Sequence, residues 1–187
     1  MRLFVAIELS SDLRARLVKM QDAVRAVAAN LSFTRPENLH LTLKFLGEVP
    51  DAQVPQVSSA LASITRVGEF DLKCTGIVCF PERGRVRVVG AAVESISSLL
   101  ELQRRIETAM EATGFPREGR PYHPHITLAR ARNPLPPAVR GRLTALVDAS
   151  EARESMRVLD FVLMERAAFT RKGAQYTPAA RFYINLP

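Results

Sequence analysis

Leu39-His40-Leu41-Thr42-Leu43 and Pro124-His125-Ile126-Thr127-Leu128 are the two stretches that decide the fold of this 187-residue chain. Each contains a His-x-Thr-x tetrad with apolar residues at both x positions, and the tetrads hold two of the three histidines. Side chains two residues apart on a strand share a face, so each His and its Thr point to one side. Each tetrad therefore predicts a strand that buries its apolar face and presents an imidazole and a hydroxyl on the other.

Similar elements precede and follow the two tetrads at similar distances along the chain. Before the first tetrad, a predicted strand leads into a helix that Ser10 or Ser11 can cap. Before the second, a strand with alternating arginine and valine leads into a helix that Ser95 can cap. Each tetrad strand is then followed by another helix and another strand, which is the pattern of an internal duplication.

The repeated order of elements predicts an α+β fold. We expect one bilobal domain over 1–187, with two repeats at about 1–80 and 81–187. Each of the two pseudo-two-fold-related lobes should hold an antiparallel sheet and helices. The two tetrads would then face each other across a central cleft, which is where we expect the active site.

The composition narrows the partners and the compartment. Lys and Arg outnumber Asp and Glu by 26 to 19, and a net charge of +7 favours polyanions, nucleic acid first. Surplus arginine on a solvated surface gives the same balance. Cys74 and Cys79 match no zinc spacing and fit a reduced compartment. The chain shows no signal-peptide pattern and no apolar run of the roughly 20 residues that a membrane helix needs, so we expect a cytoplasmic protein without membrane contact. We also expect a monomer.

Two imidazoles at one site can act as a general acid and a general base. One takes a proton from an attacking water or hydroxyl, and the other gives a proton to the leaving oxygen. Thr42 and Thr127 beside them can donate hydrogen bonds to the non-bridging oxygens of a phosphate. This set supplies positioning and charge neutralisation for phosphoryl transfer without a metal or another cofactor.

Two basic residues near the tetrads are further candidates for substrate binding. Lys44 has the strand parity of His40 and Thr42, so it either adds positive charge near the phosphate or lies at the cleft rim. Arg130 follows the second tetrad and can reach a phosphate. By strand parity it faces away from His125, so a role at the rim or surface fits equally well.

Other chemistries find less support in the sequence. Histidine also binds zinc or iron, but no carboxylate lies at motif spacing from either tetrad, and threonine is a poor ligand. The chain has no G-x-S-x-G elbow for a serine hydrolase, and neither a Walker A nor a G-x-G-x-x-G motif for a nucleotide cofactor. Phosphoester chemistry with the paired histidines is therefore the favoured interpretation.

The paired tetrads resemble the 2H phosphoesterase superfamily. The opening Met1-Arg2-Leu3-Phe4-Val5-Ala6-Ile7, the run from Arg35 to Gly47 and the run from Pro124 to Arg130 are similar to its RNA 2′,3′-cyclic phosphodiesterase branch, first described as 2′-5′ RNA ligases. Gly173-Ala174-Gln175-Tyr176 is similar to a Gly-x-x-Tyr stretch of the family. The resemblance covers nearly the whole chain.

The resemblance implies hydrolysis of a 2′,3′-cyclic phosphate at an RNA end, tRNA fragments included, to leave a 2′-phosphate. By analogy His40 protonates the departing 3′ oxygen, His125 deprotonates the water, and Thr42 and Thr127 hold the phosphate. No metal or cofactor is implied. The sequence by itself does not distinguish the two histidines.

The chain also departs from the family pattern. Where the family often has Trp or another aromatic residue on the strand over 85–93, this chain reads Val88-Val89-Gly90. The wall on which a base would stack is then missing, or Phe80, Tyr122 or Phe169 supplies it. Three other functions stay open: 2′-5′ RNA ligation, an RNA-end binding module with little turnover, and hydrolysis of a small cyclic phosphate.

Overall fold

The computed structural model describes residues 1–146, 155–170 and 173–185. The four helices within these residues are α1 (Ser11–Val27), α2 (Val54–Ala62), α3 (Ser97–Ala112) and α4 (Val139–Thr144). The strands are β1 (Arg2–Glu8), β2 (Leu31–Phe33), β3 (His40–Glu48), β4 (Phe70–Phe80), β5 (Val86–Val93), β6 (His125–Leu135), β7 (Ser155–Val158), β8 (Asp160–Thr170) and β9 (Gly173–Tyr183). Among the described residues, no helix is long and apolar enough to cross a membrane.

The described strands form one antiparallel sheet in the order β7-β4-β5-β6-β3-β1-β8-β9, with β2 paired to β6. The two tetrad strands, β3 and β6, are neighbours at its centre, and Leu41 of β3 pairs with Ile126 of β6. On one side of this junction β3 continues into β1, β8 and β9, and on the other β6 continues into β5, β4 and β7. The predicted α+β class with two lobes is confirmed, and the junction between β3 and β6 divides them.

Each lobe combines strands from both halves of the chain. Strand β4 follows the first tetrad in sequence but pairs with β5, in the lobe of the second tetrad. Strand β8 follows the second tetrad but pairs with β1, in the lobe of the first. The tetrads consequently lie side by side on adjacent strands, whereas the sequence suggests that they face each other. The division into repeats at 1–80 and 81–187 stays a prediction.

The apolar residues of the tetrads belong to the main core. Leu41, Leu43, Ile126 and Leu128 are fully buried there, together with apolar residues of all four helices. The tetrad histidines and threonines, which alternate with them, lie on the other face and are partly accessible. The predicted separation of an apolar and a functional face on each tetrad strand is confirmed.

One of the two predicted helix caps is confirmed. Ser10 caps α1, and its hydroxyl accepts a hydrogen bond from the backbone N–H of Leu13. The predicted cap of α3 is wrong, because the extended residue before that helix is Ile96, and no side chain caps it. Ser95 lies one residue too far upstream to reach the first turn.

A β-bulge interrupts each tetrad strand just after its threonine. On β3, Thr42 pairs with Ala6 and Lys44 with Val5, so Leu43 has no partner on β1. On β6, Thr127 pairs with Gly90 and Ala129 with Val89, so Leu128 has no partner on β5. An extra residue in one strand breaks the alternation of faces from that point on.

The bulges overturn the strand-parity predictions for two residues. Lys44 is buried on the core side of β3, opposite the face of His40, so its predicted contact with the phosphate is wrong. Arg130 lies on the face of the tetrad histidines, where it lines the cavity beside His40 and acts electrostatically on His125, so the parity argument that turned it away is wrong too. Each residue follows a bulge, which moves its side chain to the other face.

Both cysteines are buried free thiols, which fits the reduced compartment that the sequence favours. Burial raises the pKa of the Cys74 thiol to about 11 and raises the pKa of the Cys79 thiol as well. The thiolate is the reactive form of cysteine. Neither thiol is therefore set up as a nucleophile.

Candidate active site

The two tetrads place four polar side chains on one face of the sheet centre. Continuing the pair of Leu41 with Ile126 by one residue in each direction sets His40 across from Thr127, and Thr42 across from His125. In an antiparallel pair, directly opposite Cβ atoms are roughly 4.5–5.5 Å apart and diagonal ones slightly farther. The two imidazoles thus occupy diagonal corners of a small rectangle, with a hydroxyl beside each.

His40 is held by a backbone carbonyl and by two aromatic rings. Its Nδ1 lies 2.7 Å from the carbonyl oxygen of Asn38, in the 3-10 turn that ends just before β3. Its ring lies 4.8 Å from that of Phe4 and 5.4 Å, edge to face, from that of Tyr176, centroid to centroid. Burial lowers the pKa of His40, the hydrogen bond to Asn38 opposes this shift, and the charge of Arg130 adds to it.

His125 is held in the same way by the chain just before it. Its Nδ1 lies 2.8 Å from the carbonyl oxygen of His123, and its ring lies 4.6 Å from that of Phe80 on β4. Burial lowers the pKa of His125, the bond to the His123 carbonyl opposes the shift, and Arg130 and the His123 side chain add to it. His123 itself is exposed, and its ring lies 6.4 Å from that of Phe80, centroid to centroid.

The two carbonyl contacts assign the same tautomer to both histidines. A carbonyl oxygen only accepts, so Nδ1 must carry the proton in each ring. Nε2 is then the atom that takes up or gives away a proton when the ring changes its charge. Each tetrad therefore presents one titrating nitrogen at a position that the backbone fixes.

A cavity of about 220 Å³ opens beside His40. Its lining contains His40, Thr42 and Thr127, together with three arginines from different strands: Arg2, Arg130 and Arg166. None of the described residues that line it is acidic. The cavity therefore suits an anion, and a charge-assisted hydrogen bond from arginine is among the strongest available to a phosphate. His125 lies outside this lining, against Phe80.

Sequence reasoning missed three cavity residues. Phe45 is 69% exposed and lines the cavity, because the bulge on β3 turns it to the side of His40. Asn38 donates from Nδ2 to the carbonyl oxygen of Ala174, at 2.7 Å, while its buried Oδ1 has no hydrogen-bond partner in the described part of the chain. Tyr176 belongs to the Gly-x-x-Tyr stretch, and its ring packs on His40 and Phe4. The position of each depends on β-bulges or on β9, which periodicity does not reveal.

The three residues considered as a base-stacking wall have different fates. Phe80 packs on His125. Tyr122 is a structural residue, since its hydroxyl donates to the carbonyl oxygen of Thr42 at 2.9 Å and burial raises its pKa. The side chain of Phe169 lies outside the described residues.

Metal binding has no evident location in the described ranges. No group of three or more His, Cys, Asp or Glu side chains within them lies close enough to share an ion. The site histidines also point Nδ1 at carbonyl oxygens, which leaves one nitrogen of each for other chemistry.

Comparison with known proteins gives a consistent result at the level of sequence families. The model of the LigT-like phosphoesterases matches this chain twice, over residues 7–90 and 91–171. The RNA 2′,3′-cyclic phosphodiesterase of Methanothermobacter thermautotrophicus is 33% identical over 186 residues, which cover 98% of each chain.

Solved structures agree in fold. A crystal structure from Thermus thermophilus superimposes with a TM-score of 0.80 at 30% identity, covering 98% of each chain. The crystal structure of Escherichia coli LigT complexed with 3′-AMP superimposes with a TM-score of 0.74 at 25% identity, covering 99% of this chain and 98% of the other.

Proposed function

Because the chain belongs to the LigT-like phosphoesterase family, we propose that it hydrolyses the 2′,3′-cyclic phosphate at an RNA end to a 2′-phosphate, by acid–base catalysis with two histidines. The observation that carries the mechanism is the matched pair of imidazoles at the sheet centre. Each has Nδ1 on the carbonyl two residues upstream and Nε2 as its titrating atom.

The reaction needs one neutral and one protonated histidine. Neutral His125 takes a proton on Nε2 from water as the water oxygen attacks phosphorus. The bond between phosphorus and the 3′ oxygen then breaks, and protonated His40 gives its Nε2 proton to that oxygen. The phosphate stays on the 2′ oxygen, and the two histidines end the cycle with exchanged protonation states. The lowered pKa of His125 favours the neutral form that a base needs, and the lowered pKa of His40 moves its protonated form to lower pH.

The surroundings of the histidines support charge stabilisation at phosphorus. Thr42 and Thr127 are each beside an imidazole and can donate to the non-bridging oxygens, on which charge grows during attack. Arg130 acts electrostatically on both histidines, so a phosphate between them would meet its guanidinium. We assign phosphate binding to Thr42, Thr127 and Arg130, and none to Lys44.

The cavity next to His40 supports binding of the attached nucleoside. The buried, unpartnered Oδ1 of Asn38 can accept a hydrogen bond from a ribose hydroxyl or a base amino group. Exposed Phe45 offers an aromatic face for a base, which takes over the role of the missing tryptophan. The name of the M. thermautotrophicus relative and the 3′-AMP in the E. coli structure support a nucleotide ligand of this kind.

An oligoribonucleotide with a 2′,3′-cyclic phosphate end, assayed with EDTA present, tests the proposal. We expect turnover to a 2′-phosphate product only, because His40 protonates the 3′ oxygen. A 3′-phosphate product contradicts this assignment of the leaving oxygen. Binding without turnover would contradict an enzyme in favour of a binding module, and faster cleavage of a cyclic mononucleotide would contradict RNA as the preferred substrate. A 5′-hydroxyl RNA acceptor in the same assay reveals any 2′-5′ ligation.

A further inference from the structure

The two β-bulges have a feature in common below the sheet. Beneath each bulge, a buried polar side chain from a helix reaches the tetrad strand. Glu107 of α3 lies under the bulge of β3, and Gln21 of α1 lies under the bulge of β6. Charged and amide side chains are rarely buried unless they are paired, and these two are among the few buried polar residues described.

On β3 the contact is an ion pair. Lys44 Nζ donates to Glu107 Oε2 at 2.6 Å and to the Pro116 carbonyl oxygen at 2.8 Å. The two side chains are only 4% and 9% exposed. Gln103 donates from Nε2 to Glu107 Oε1 at 3.2 Å. The network thereby holds Lys44 on the core side, which is what turns Phe45, the next residue, into the cavity.

On β6 the contact is an amide. Gln21 Nε2 donates to the carbonyl oxygens of Thr34 and Leu128, at 2.7 and 2.8 Å. Leu128 is the unpaired residue of the bulge, and its carbonyl oxygen also accepts from the Thr34 N–H at 2.9 Å. The carbonyl oxygen at the bulge is thus hydrogen-bonded from the core side of the sheet. Arg130, two residues later, points into the cavity on the other side.

The remaining sheet does little to fix these bulges against each other. In the described sheet, β3 and β6 share one register pair, Leu41 with Ile126. Bulges are common beside active sites, where they re-aim a side chain. Displacements of about 1 Å near a reacting centre can cost about 10²-fold in rate, so whatever holds the bulges affects the chemistry.

We propose that Gln21 and the Lys44–Glu107 ion pair are positioning residues that hold the two bulges, and thereby fix Arg130 and Phe45 in the substrate cavity. This rests on the proposed function for the roles of those two cavity residues. Loss of the Gln21 contact and loss of the Lys44–Glu107 ion pair should therefore affect ligand binding in different ways. Gln21 acts through Arg130 on the phosphate, whereas Lys44 and Glu107 act through Phe45 on the nucleoside.

The variants follow from the geometry. The double variant K44M/E107L replaces the ion pair with apolar side chains of similar volume, an exchange that is often neutral for stability. Single changes would leave one buried charge unpaired. Gln21→Leu removes both hydrogen bonds that Gln21 Nε2 donates and replaces the amide with an apolar side chain of similar size. Thr113→Val is the control, because it removes a buried hydroxyl bonded to the Met110 carbonyl oxygen and touches neither bulge.

Calorimetric binding of 2′-AMP and of inorganic phosphate separates the effects of the two contacts. We expect K44M/E107L to bind 2′-AMP about tenfold more weakly while phosphate binding stays unchanged, in the range that loss of one stacked base gives. Gln21→Leu should weaken both ligands by a similar factor. Its histidines should also titrate at higher pH by NMR, because displaced Arg130 no longer lowers their pKa. Thr113→Val should match the wild type.

The outcomes are distinct. If both bulge variants bind the two ligands as the wild type does and the histidine titrations do not move, the ion pair and Gln21 are only structural and the proposal is wrong. If Gln21→Leu does not fold, Gln21→Met replaces it, and if K44M/E107L does not fold, K44M/E107M does. A wild type that binds 2′-AMP but shows no turnover contradicts the proposed function alone. If the wild type binds neither 2′-AMP nor phosphate, the histidine titration of the Gln21 variant tests the proposal: a shift to higher pH supports it, and no shift contradicts it.

Discussion

Leu41 and Ile126 pair at the centre of the sheet, and this pair sets each histidine of one tetrad across from the threonine of the other. The resulting rectangle is nearly symmetric in its residue types, yet its surroundings are not. His40 adjoins the arginine-lined cavity with Phe4 and Tyr176, while His125 packs on Phe80. The cavity that we propose for the nucleoside therefore lies on the side of His40, which is where the sugar that bears the leaving oxygen should bind.

The pH dependence of kcat/KM is expected to have its maximum below pH 6.5. Its acid limb follows the base, which must be neutral, and its basic limb follows the acid, which must be protonated. Burial lowers the pKa of both histidines below 6.5, so both limbs move to lower pH. A maximum above pH 7 would contradict these environments.

Arg130→Gln should shift that profile to higher pH. Arg130 contributes to the lowered pKa of both His40 and His125, so removing its charge raises both values. We also expect kcat to fall by about 10²–10³-fold, as for the loss of one donor to a transition-state oxyanion. Arg132→Gln, on the same strand and exposed, is the control and should leave the profile in place. An unshifted profile in Arg130→Gln would place that guanidinium away from the histidines.

A substrate with sulfur in place of the 3′ bridging oxygen should distinguish the two histidines. A thiol has a pKa of about 8.5, so the thiolate is a good leaving group and needs no general acid. An alkoxide is a poor leaving group and must be protonated as it departs. His40→Gln should therefore regain most of its lost rate on the sulfur substrate, and His125→Gln should not. Rescue of the His125 variant instead would reverse the proposed roles, and equal behaviour of both variants would argue against a divided acid and base.

Gly90→Ala should lower kcat because Gly90 supports the second tetrad. A Cβ at this position would lie 3.2 Å from His125 Cδ2 and 3.2 Å from the Ile126 carbonyl oxygen. The ring must shift to make room, and we expect a loss of about tenfold, given how steeply rate falls with misplacement. Gly119→Ala is the matched control, since a Cβ there would meet nothing within 4 Å. Unchanged kcat in Gly90→Ala would mean that the His125 ring tolerates displacement.

Phe45→Ala should raise KM with little loss of thermal stability. The ring is 69% exposed, so the core loses little when it is removed. If it stacks on a base, its loss weakens binding by about 1–3 kcal/mol. Tyr183→Ala, at another exposed aromatic residue of the sheet, should leave KM unchanged. A KM for Phe45→Ala equal to that of the wild type would exclude Phe45 as the stacking surface.

The periodicity of the tetrads was sufficient to predict their strands and the face on which His40, Thr42, His125 and Thr127 lie. It failed one or two residues later, at Lys44 and Arg130. Alternation assumes one residue opposite one residue, and each bulge breaks this count. Each bulge places two consecutive residues on the core side: Leu43 and Lys44 on β3, and Leu128 and Ala129 on β6. From the sequence alone, a lysine at such a position is predicted to face the solvent.

The repeat predicted two lobes, but it did not predict which strands each lobe contains. Local patterns along 1–80 and 81–187 give the order of elements, whereas pairing of β4 with β5 and of β8 with β1 depends on contacts between halves. The cavity residues Asn38, Phe45 and Tyr176 meet only through this exchange, because β9 lies beside β8 in the lobe of the first tetrad. No single segment of the sequence predicts that these three residues line one cavity.

The most direct test of the central claim is the turnover of His40→Ala and of His125→Ala on an oligoribonucleotide with a 2′,3′-cyclic phosphate end, with EDTA present. Each variant should lose about 10²–10⁴-fold in kcat, the typical contribution of a general acid or base, while the wild type gives only a 2′-phosphate. If either variant keeps near-wild-type turnover while folded, the two-histidine mechanism is wrong.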